Sequence, residues 1–210
     1  MNVLVVAPHP DDESIGCGGA ISKHSLRGDR VVAAFLTSGE LGLKHLPRER
    51  AWKIREAEAC AAARILGLAE VAFFRGPDWG LADHIAKVAC DLRSVLERER
   101  PQLIYLPHPL DSHPDHIAAI RILRAGLKSN SAVPELRGYE VWSPLSCFDH
   151  TEDITSTMNR KLRAIRAHRS QLKEFDYACA IRGLNEYRGV LAGKCRFAEV
   201  FQSLEPKVAR

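Results

Sequence analysis

The sequence predicts an α/β fold: a Rossmann-like, mostly parallel sheet flanked by helices, with a carboxyl-terminal helical appendage. Three observations predict it. Short apolar runs alternate with amphipathic stretches of helical period along most of the chain. The runs are continuous rather than alternating, as strands are when crossover helices bury both faces. At 210 residues the chain is long enough for one sizeable core and too short for two comfortable domains, so residues 1–210 are expected to form a single domain.

Taken in order, "NVLVVA" (2–7) is the first strand and "GGAISKHSLRG" (18–28) the first helix. "RVVAAFLTSG" (30–39) is the second strand, followed by an amphipathic helix over 47–66. "EVAFFRG" (70–76) is the third strand, and a helix follows over 81–99. "QLIYLP" (102–107) precedes a helix over 114–127, and "GYEVWSP" (138–144) is the last clear strand. Beyond it, "TSTMNRKLRAIRAHRSQLKEF" reads as one long helix, and the segment from Tyr177 as a second helix with a short extended tail.

The net charge of +4 is spread along the chain and does not mark a polyanion-binding surface, so no nucleic-acid partner is expected. The densest basic stretch, "RKLRAIRAHR" (160–169), interleaves apolar residues at helical spacing and reads as the solvated face of a helix. Six scattered cysteines form no CxxC pair and follow no secretory leader, which suits reduced thiols in the cytoplasm. No apolar run approaches the ~20 residues of a membrane span, so no membrane insertion is expected.

The chemistry-bearing residues fall in two clusters. "HPDDE" (9–13) follows the first strand, and "HPLDSHPDH" (108–116) follows "LIYLP". In an open parallel sheet, ligands collect outside the carboxyl ends of strands, so the two clusters can share one site. Two adjacent aspartates are costly to desolvate unless a cation or proton is shared between them. His9 and Asp12 lie three residues apart in a Pro-containing turn and can converge on one ion, which aims Asp11 elsewhere. Pro114 suits a first helical position, making His113 the cap and placing His116 one turn on, toward the same edge. His9, Asp12 and His116 then leave a fourth position open, as catalytic zinc does, with one Zn²⁺ expected per chain. Asp11 is placed to take a proton from the water. His113 is a candidate to stabilise an oxyanion if protonated, with Asp115 holding its charge.

Single motifs carry less. "GCGG" (16–19) fails the dinucleotide spacing because position 21 is Ile, so its glycines are read as permitting a tight turn and close helix packing. Cys17 reads as a small buried filler, and His24 and His84 as surface or capping residues. Trp79 and Trp142 read as core or pocket wall, with Trp79 in a loop suited to stacking on a sugar.

"APHPDDESIGCGG", "RGDRVVAAFLTSGE" and "DSHPDHIAA", in this order, resemble the LmbE-like or PIG-L superfamily of zinc-dependent N-acetylglucosaminyl deacetylases. The likeness continues through "IREAEACAAARILGL" and "AHRSQ" to "FAEVF". It implies zinc on His9, Asp12 and His116, Asp11 as general base, His113 as electrophilic helper and Asp115 as the residue tuning it. It also implies substrate contacts from Glu13, Ser14 and Arg55, with Arg55 ahead of Arg50, and a homo-oligomer. Two departures stand out. Some members have a tyrosine where Asp111 stands, and one often stands at Phe197; Tyr187 is a candidate substitute for their hydroxyls.

The reading that follows is a metal-dependent amidohydrolase removing the N-acetyl group from an N-acetylglucosamine-type amino sugar or its conjugate, releasing acetate. Two alternatives share some of its residues: a non-haem iron oxygenase built on two histidines and one carboxylate, and a non-catalytic metal- or nucleotide-binding module. The apolar and aromatic residues Phe175, Tyr177, Tyr187, Phe197 and Phe201 predict an assembly interface on the carboxyl-terminal helices.

Overall fold

A computed structural model describes residues 1–127 and 133–206. Its strands are β1 (Asn2–Ala7), β2 (Arg30–Thr37), β3 (Glu70–Gly76), β4 (Leu103–Pro107), β5 (Glu135–Tyr139), β6 (His150–Asp153) and β7 (Ala198–Leu204). Its helices are α1 (Asp12–Leu26), α2 (Arg48–Leu66), α3 (Ile85–Glu99), α4 (Pro114–Gly126), α5 (Met158–Ile165) and α6 (Tyr177–Arg188). The strands form one sheet in the order β3-β2-β1-β4-β5-β7-β6. The first five are parallel, and β7 runs antiparallel to both β5 and β6. The chain order reverses between β1 and β4, which pair through Val3↔Leu103, Leu4↔Ile104 and Val5↔Tyr105. That junction is the switch point where ligands gather in such sheets.

Alternation along the strands explains the layers. Leu4, Val6, Val32, Ala34, Ile104 and Leu106 face α3 and α4, whereas Val3, Val5, Val31, Ala33, Leu103 and Tyr105 face α1 and α2. Both faces are buried, as the continuous apolar runs require. A third cluster joins Ile15 on α1 to Ile154, Met158 and Leu162, and to Ile181 on α6. No helix among the described residues is long and apolar enough to cross a membrane.

The structure departs from the sequence reading in four places. First, α1 begins at Asp12, six residues early, and bends at Cys17 (φ −140°, ψ 22°). The glycines let it pack tightly: a Cβ on Gly16 would lie 2.2 Å from the Tyr139 ring. Second, the long helix expected over 155–175 stops at Ile165, and residues 171–173 form a separate 3₁₀ turn. Third, the last parallel strand is centred earlier than expected, and the carboxyl-terminal region returns two strands, β6 and β7, beside its helices. Fourth, Lys161, expected on a solvated face, is fully buried against Glu199 at 2.7 Å. Glu199 also accepts the N–H groups of Gly19 and Ala20, both at 2.8 Å, just past the bend where helical partners are lost.

Candidate active site

Immediately after β1 the chain turns through Pro8–Pro10 into α1, and Asp11 occupies the residue before the helix with φ 135° and ψ −26°. A positive φ is uncommon for a non-glycine residue, though aspartate tolerates it better than most. The Asp11 carbonyl accepts the N–H groups of Ser14 and Ile15, at 3.0 and 2.9 Å, so its backbone opens the helix while its carboxylate takes no part in the helix bonds. The acidic residues Asp12 and Glu13 sit in the first turn, where the helix dipole favours negative charge.

Three donor atoms from the two motifs meet beside Asp11. His9 Nδ1 lies 3.2 Å from Asp12 Oδ2, His116 Nε2 lies 3.2 Å from the same oxygen, and the two ring nitrogens are 3.3 Å apart. A tetrahedral ion with bonds of ~2.0–2.2 Å has ligand-to-ligand edges of about 3.3–3.6 Å, and the triangle lies at the short end of that range. The far ring nitrogens face carboxylates. His9 Nε2 is 3.2 Å from Asp78 Oδ1 and 3.3 Å from Asp115 Oδ2. His116 Nδ1 is 3.2 Å from Asp111 Oδ1, an ion-pair distance without hydrogen-bond alignment. Carboxylates behind ligating imidazoles fix ring orientation and raise basicity.

Two other donor groups surround His9: His113 with His116, and Asp78 with Asp115. All of these donors also carry protein hydrogen bonds, Asp12 Oδ2 included, which accepts the His9 N–H at 2.8 Å. Asp115 already accepts the N–H groups of Trp79 (2.7 Å) and Leu81 (3.0 Å), and His113 Nδ1 accepts the Asp115 N–H at 3.2 Å. The protonation pattern also fits a cation in the first triangle. Burial pulls His116 down, but Asp12 and Asp111 outweigh it and raise the ring to about 9. Burial likewise opposes His9, yet Asp115, Asp12 and Asp78 hold it well above its ordinary value. Asp12, which burial would raise, is held well below the usual carboxylate range by His116 and His9. An ion binding here displaces the protons that these imidazoles otherwise hold.

Burial pushes the Asp11 carboxyl up to about 6, with the Arg55 guanidinium pulling the other way and the Asp12 charge adding to the rise. Arg55 comes from α2 and is buried; its Nη2 donates to Asp11 Oδ2 (3.1 Å) and to the Pro10 carbonyl (2.5 Å), and its Nη1 to the Gly39 carbonyl (2.9 Å). Gly39, at φ 60°, makes room for it: a Cβ there would lie 2.3 Å from Nη1. Arg55 therefore reaches the cavity while bracing Asp11, and its buried Nε has no protein partner. Arg50 is exposed outside this cavity.

Glu13 and Ser14, expected as substrate contacts, are fully buried and do not line the cavity. Because the helix starts at Asp12, both turn inward. Ser14 Oγ donates to Glu13 Oε1 at 2.6 Å, the Asp11 N–H donates to Glu13 Oε2 at 3.1 Å, and His168 Nε2 lies 3.4 Å from Glu13 Oε1. Their place is behind Asp11.

His113 caps α4, with Pro114 at the first helical position, as the spacing predicts. Its Nδ1 accepts a backbone N–H, so the neutral ring carries its proton on Nε2. Burial first, then the charges of His9 and His116, lower it to about 4. Without a bound ion these influences favour a neutral His113 ring, against the protonated one expected from the sequence. The Asp115 carboxylate serves His9 and the 79–81 backbone rather than hydrogen-bonding the His113 ring.

These groups open into a cavity of about 840 Å³. Trp79 and Trp142 both line it, and the Trp79 ring lies 4.5 Å from that of His113. Tyr187 is exposed elsewhere, and the tyrosine on the cavity wall is Tyr177. His24, expected in a surface or capping role, is buried between Asp29 (2.7 Å) and the Tyr105 hydroxyl (3.2 Å); Cys17 is buried, as expected, and His84 stands at the residue before α3 with no side-chain bond to the helix end. Sequence reasoning missed Asp78 and took Asp111 only as a departure. Asp78 sits one residue before Trp79 in "GPDWG", and nothing in that loop's pattern marks a carboxylate aimed at His9. A second cavity, of about 610 Å³, lies near the amino ends of β4 and β5 and contains none of these groups.

A family model described as PIG-L, GlcNAc-PI de-N-acetylase, matches residues 4–126. The diacetylchitobiose deacetylase of Thermococcus kodakarensis is 31% identical, over 94% of this chain and 80% of its own length. The solved N,N'-diacetylchitobiose deacetylase of Pyrococcus horikoshii, complexed with an inhibitor, is similar with a TM-score of 0.81 and 28% identity, covering 97% of this chain and 84% of that one. A 4-carboxy-2-hydroxymuconate hydratase from Pseudomonas putida KT2440 is similar with a TM-score of 0.78 and 25% identity, covering 100% of this chain and 99% of that one. The matched region carries both motifs that meet at the β1–β4 junction, and the chain belongs to the PIG-L, GlcNAc-PI de-N-acetylase family.

Proposed function

We propose that this chain is a zinc-dependent amidohydrolase that removes the N-acetyl group from an N-acetylglucosamine-type amino sugar or its conjugate, releasing acetate. The observation that carries the reading is the triangle of His9 Nδ1, Asp12 Oδ2 and His116 Nε2 with the uncoordinated carboxylate of Asp11 beside it. When bound there, zinc supplies a Lewis acid for the amide carbonyl and lowers the pKa of water. Asp11, whose carboxyl burial raises to about 6, accepts the proton of the attacking water and returns it to the departing amine nitrogen. His113 donates a hydrogen bond from Nε2 to the oxyanion as it develops. Water and amide give acetate and a free amino sugar. Asp115, Asp78 and Asp111 orient the two imidazoles, and Arg55, Glu13 and Ser14 hold Asp11 in place.

Further parts of the reading are a single catalytic domain, one zinc per chain, a cytoplasmic location, which all six cysteines being free suits, and a homo-oligomer. Of the residues expected at an interface, Phe197 and Phe201 are core, Phe175 and Tyr177 line the active-site cavity, and Tyr187 is exposed, as are Val190 and Leu191. Family membership and the position of Asp11 set aside the oxygenase and the non-catalytic module. Likeness to a hydratase at 25% identity favours one second reading, addition of water to an unsaturated acid at the same site.

Acetate release, measured over a panel of N-acetylglucosaminyl conjugates with the zinc-loaded protein, separates the two. Asp11→Asn should keep its zinc and lose roughly 10²-fold or more in turnover. Hydration of a dienoic acid without acetate release from any conjugate would move the reading to the hydratase. Full turnover in Asp11→Asn would remove the base.

A further inference from the structure

Two aromatic surfaces face the active-site cavity from different sides. Trp79 stands on the His113 side, next to the reacting groups. The other surface combines Trp142, in the segment after β5, with Phe175 and Tyr177 at the start of α6. The Trp142 ring lies 6.3 Å from Phe175 and 5.9 Å from Tyr177, and those two are 5.7 Å apart. The three pack edge to face or tilted, the preferred arrangement for aromatic pairs, and so hold one another in place. Trp142 is nonetheless 47% exposed and Phe175 58% exposed, toward a cavity that already contains the catalytic carboxylate. Apolar surface left uncovered in a concave site marks where a ligand is bound.

The platform is anchored to the chemistry. Asp111 Oδ2 accepts the N–H groups of Trp142 (3.0 Å) and Ser143 (3.2 Å), while its Oδ1 accepts the His113 N–H (3.0 Å) and faces His116. One buried carboxylate thus sets the distance between the platform and the reacting centre. The departure from the family tyrosine at this position has a structural use.

Its surroundings indicate what the platform holds. Glu174 and Asp176 flank Phe175 and border the cavity, whereas the basic side chains that also line it belong to other segments: Lys44 and His45 to the loop after β2, and Arg55 to α2, where it is bound to Asp11. Carboxylates beside an aromatic face suit a ring whose C–H face stacks on the aromatic quadrupole while its hydroxyls donate outward. They disfavour an anionic group. A cavity of about 840 Å³ is also larger than one acetylated sugar ring needs.

We infer that Trp142 and Phe175, backed by Tyr177, bind the group attached to the amino sugar, and that this group is a neutral second sugar ring. The inference rests on the deacetylase reading of the same cavity. It is tested by comparing N-acetylglucosamine, N,N'-diacetylchitobiose and an N-acetylglucosaminyl malate with the zinc-loaded protein. The disaccharide should exceed the monosaccharide in kcat/KM by about tenfold or more, and the malate conjugate should fall below the disaccharide. In a Trp142→Ala, Phe175→Ala variant the disaccharide-to-monosaccharide ratio should collapse toward one, through KM rather than kcat. A Trp142→Phe, Phe175→Tyr variant should restore most of it. A wild-type ratio near one, a preference for the malate conjugate, or equal loss on both sugars in the alanine variant overturns the platform. If no substrate releases acetate, calorimetric binding of the two sugars decides the point separately. Tighter disaccharide binding that the alanine variant loses keeps the platform while the deacetylase reading fails, and equal binding ends both.

Discussion

Asp11 has the least comfortable backbone among the described site residues, and that conformation is what separates it from its neighbour. At φ 135° its carbonyl opens α1 while its side chain turns to Arg55, so two adjacent carboxylates take different tasks. The same environment sets a pH dependence. As the proposed base Asp11 works ionised, and burial raises it to about 6, so kcat/KM should fall as pH drops through a limb at or below about 6, a bound cation adding to the downward pull of Arg55. His113, lowered to about 4, is neutral above that limb and has no further proton to lose in the working range. His113→Gln should therefore lower kcat/KM by roughly 10²-fold, as for a lost oxyanion donor, and leave the limb where it is. A basic limb present in the wild type and absent in His113→Gln would overturn the neutral assignment. At this scale spacing alone made His9, Asp12, His116 and the His113 cap legible. Asp78 and the working role of Asp111 were not, because an orienting carboxylate is defined by partners distant in sequence. Glu13 and Ser14 were misplaced because their direction depends on the residue at which the helix starts.

Elements carry the site only as well as they are held, and α1 is held from outside itself. Its bend at Cys17 leaves the Gly19 and Ala20 N–H groups to Glu199 on β7, whose charge is balanced by the buried Lys161 on α5. Removing one partner leaves a buried charge alone, which costs about 3–5 kcal/mol. Glu199→Gln should accordingly lower the melting temperature by roughly 6–20 °C, on the scale of a chain this size. Zinc content should persist at temperatures where the variant stays folded. A shift below about 2 °C in calorimetry would show that the pair does not stabilise the bend. The elements that sequence reasoning drew correctly are those with continuous apolar strands or a strong helical period. The exceptions have physical causes. β6 is the half-exposed edge segment "HTED", with no apolar signal. The expected long helix ends after Ile165, and just beyond it Ser170 donates to Glu58 through both its N–H (2.9 Å) and its hydroxyl (2.6 Å), polar bonds no hydrophobic period reveals. Val141 and Trp142 drew the last strand too late because they are apolar outside any strand: Val141 packs on the core and both line the cavity.

At the scale of the whole molecule, the site exists only where the central sheet does. His9 and Asp12 follow β1 and His116 follows β4, and their donor atoms approach within 3.3 Å because those two strands are neighbours about a hundred residues apart in the chain. Neither motif can complete the triangle in an unfolded or half-folded chain, so the proposed metal affinity should belong to the native state and add to its stability. At free zinc about a thousandfold above the dissociation constant, the linkage is worth about 4 kcal/mol. For a chain of this size that corresponds to roughly 8–16 °C in melting temperature. Because Asp12 and its neighbours hold protons on His9 and His116 without the ion, binding should also release protons, more of them at pH 6 than at pH 9. Titration calorimetry in buffers of different ionisation enthalpy measures the release, and scanning calorimetry with and without zinc measures the shift. His116→Ala should lose both responses and keep a cooperative transition near that of the zinc-free wild type. If the wild type gains a few degrees or less at saturating zinc, or if His116→Ala gains as much, the ion is bound somewhere other than the β1–β4 junction.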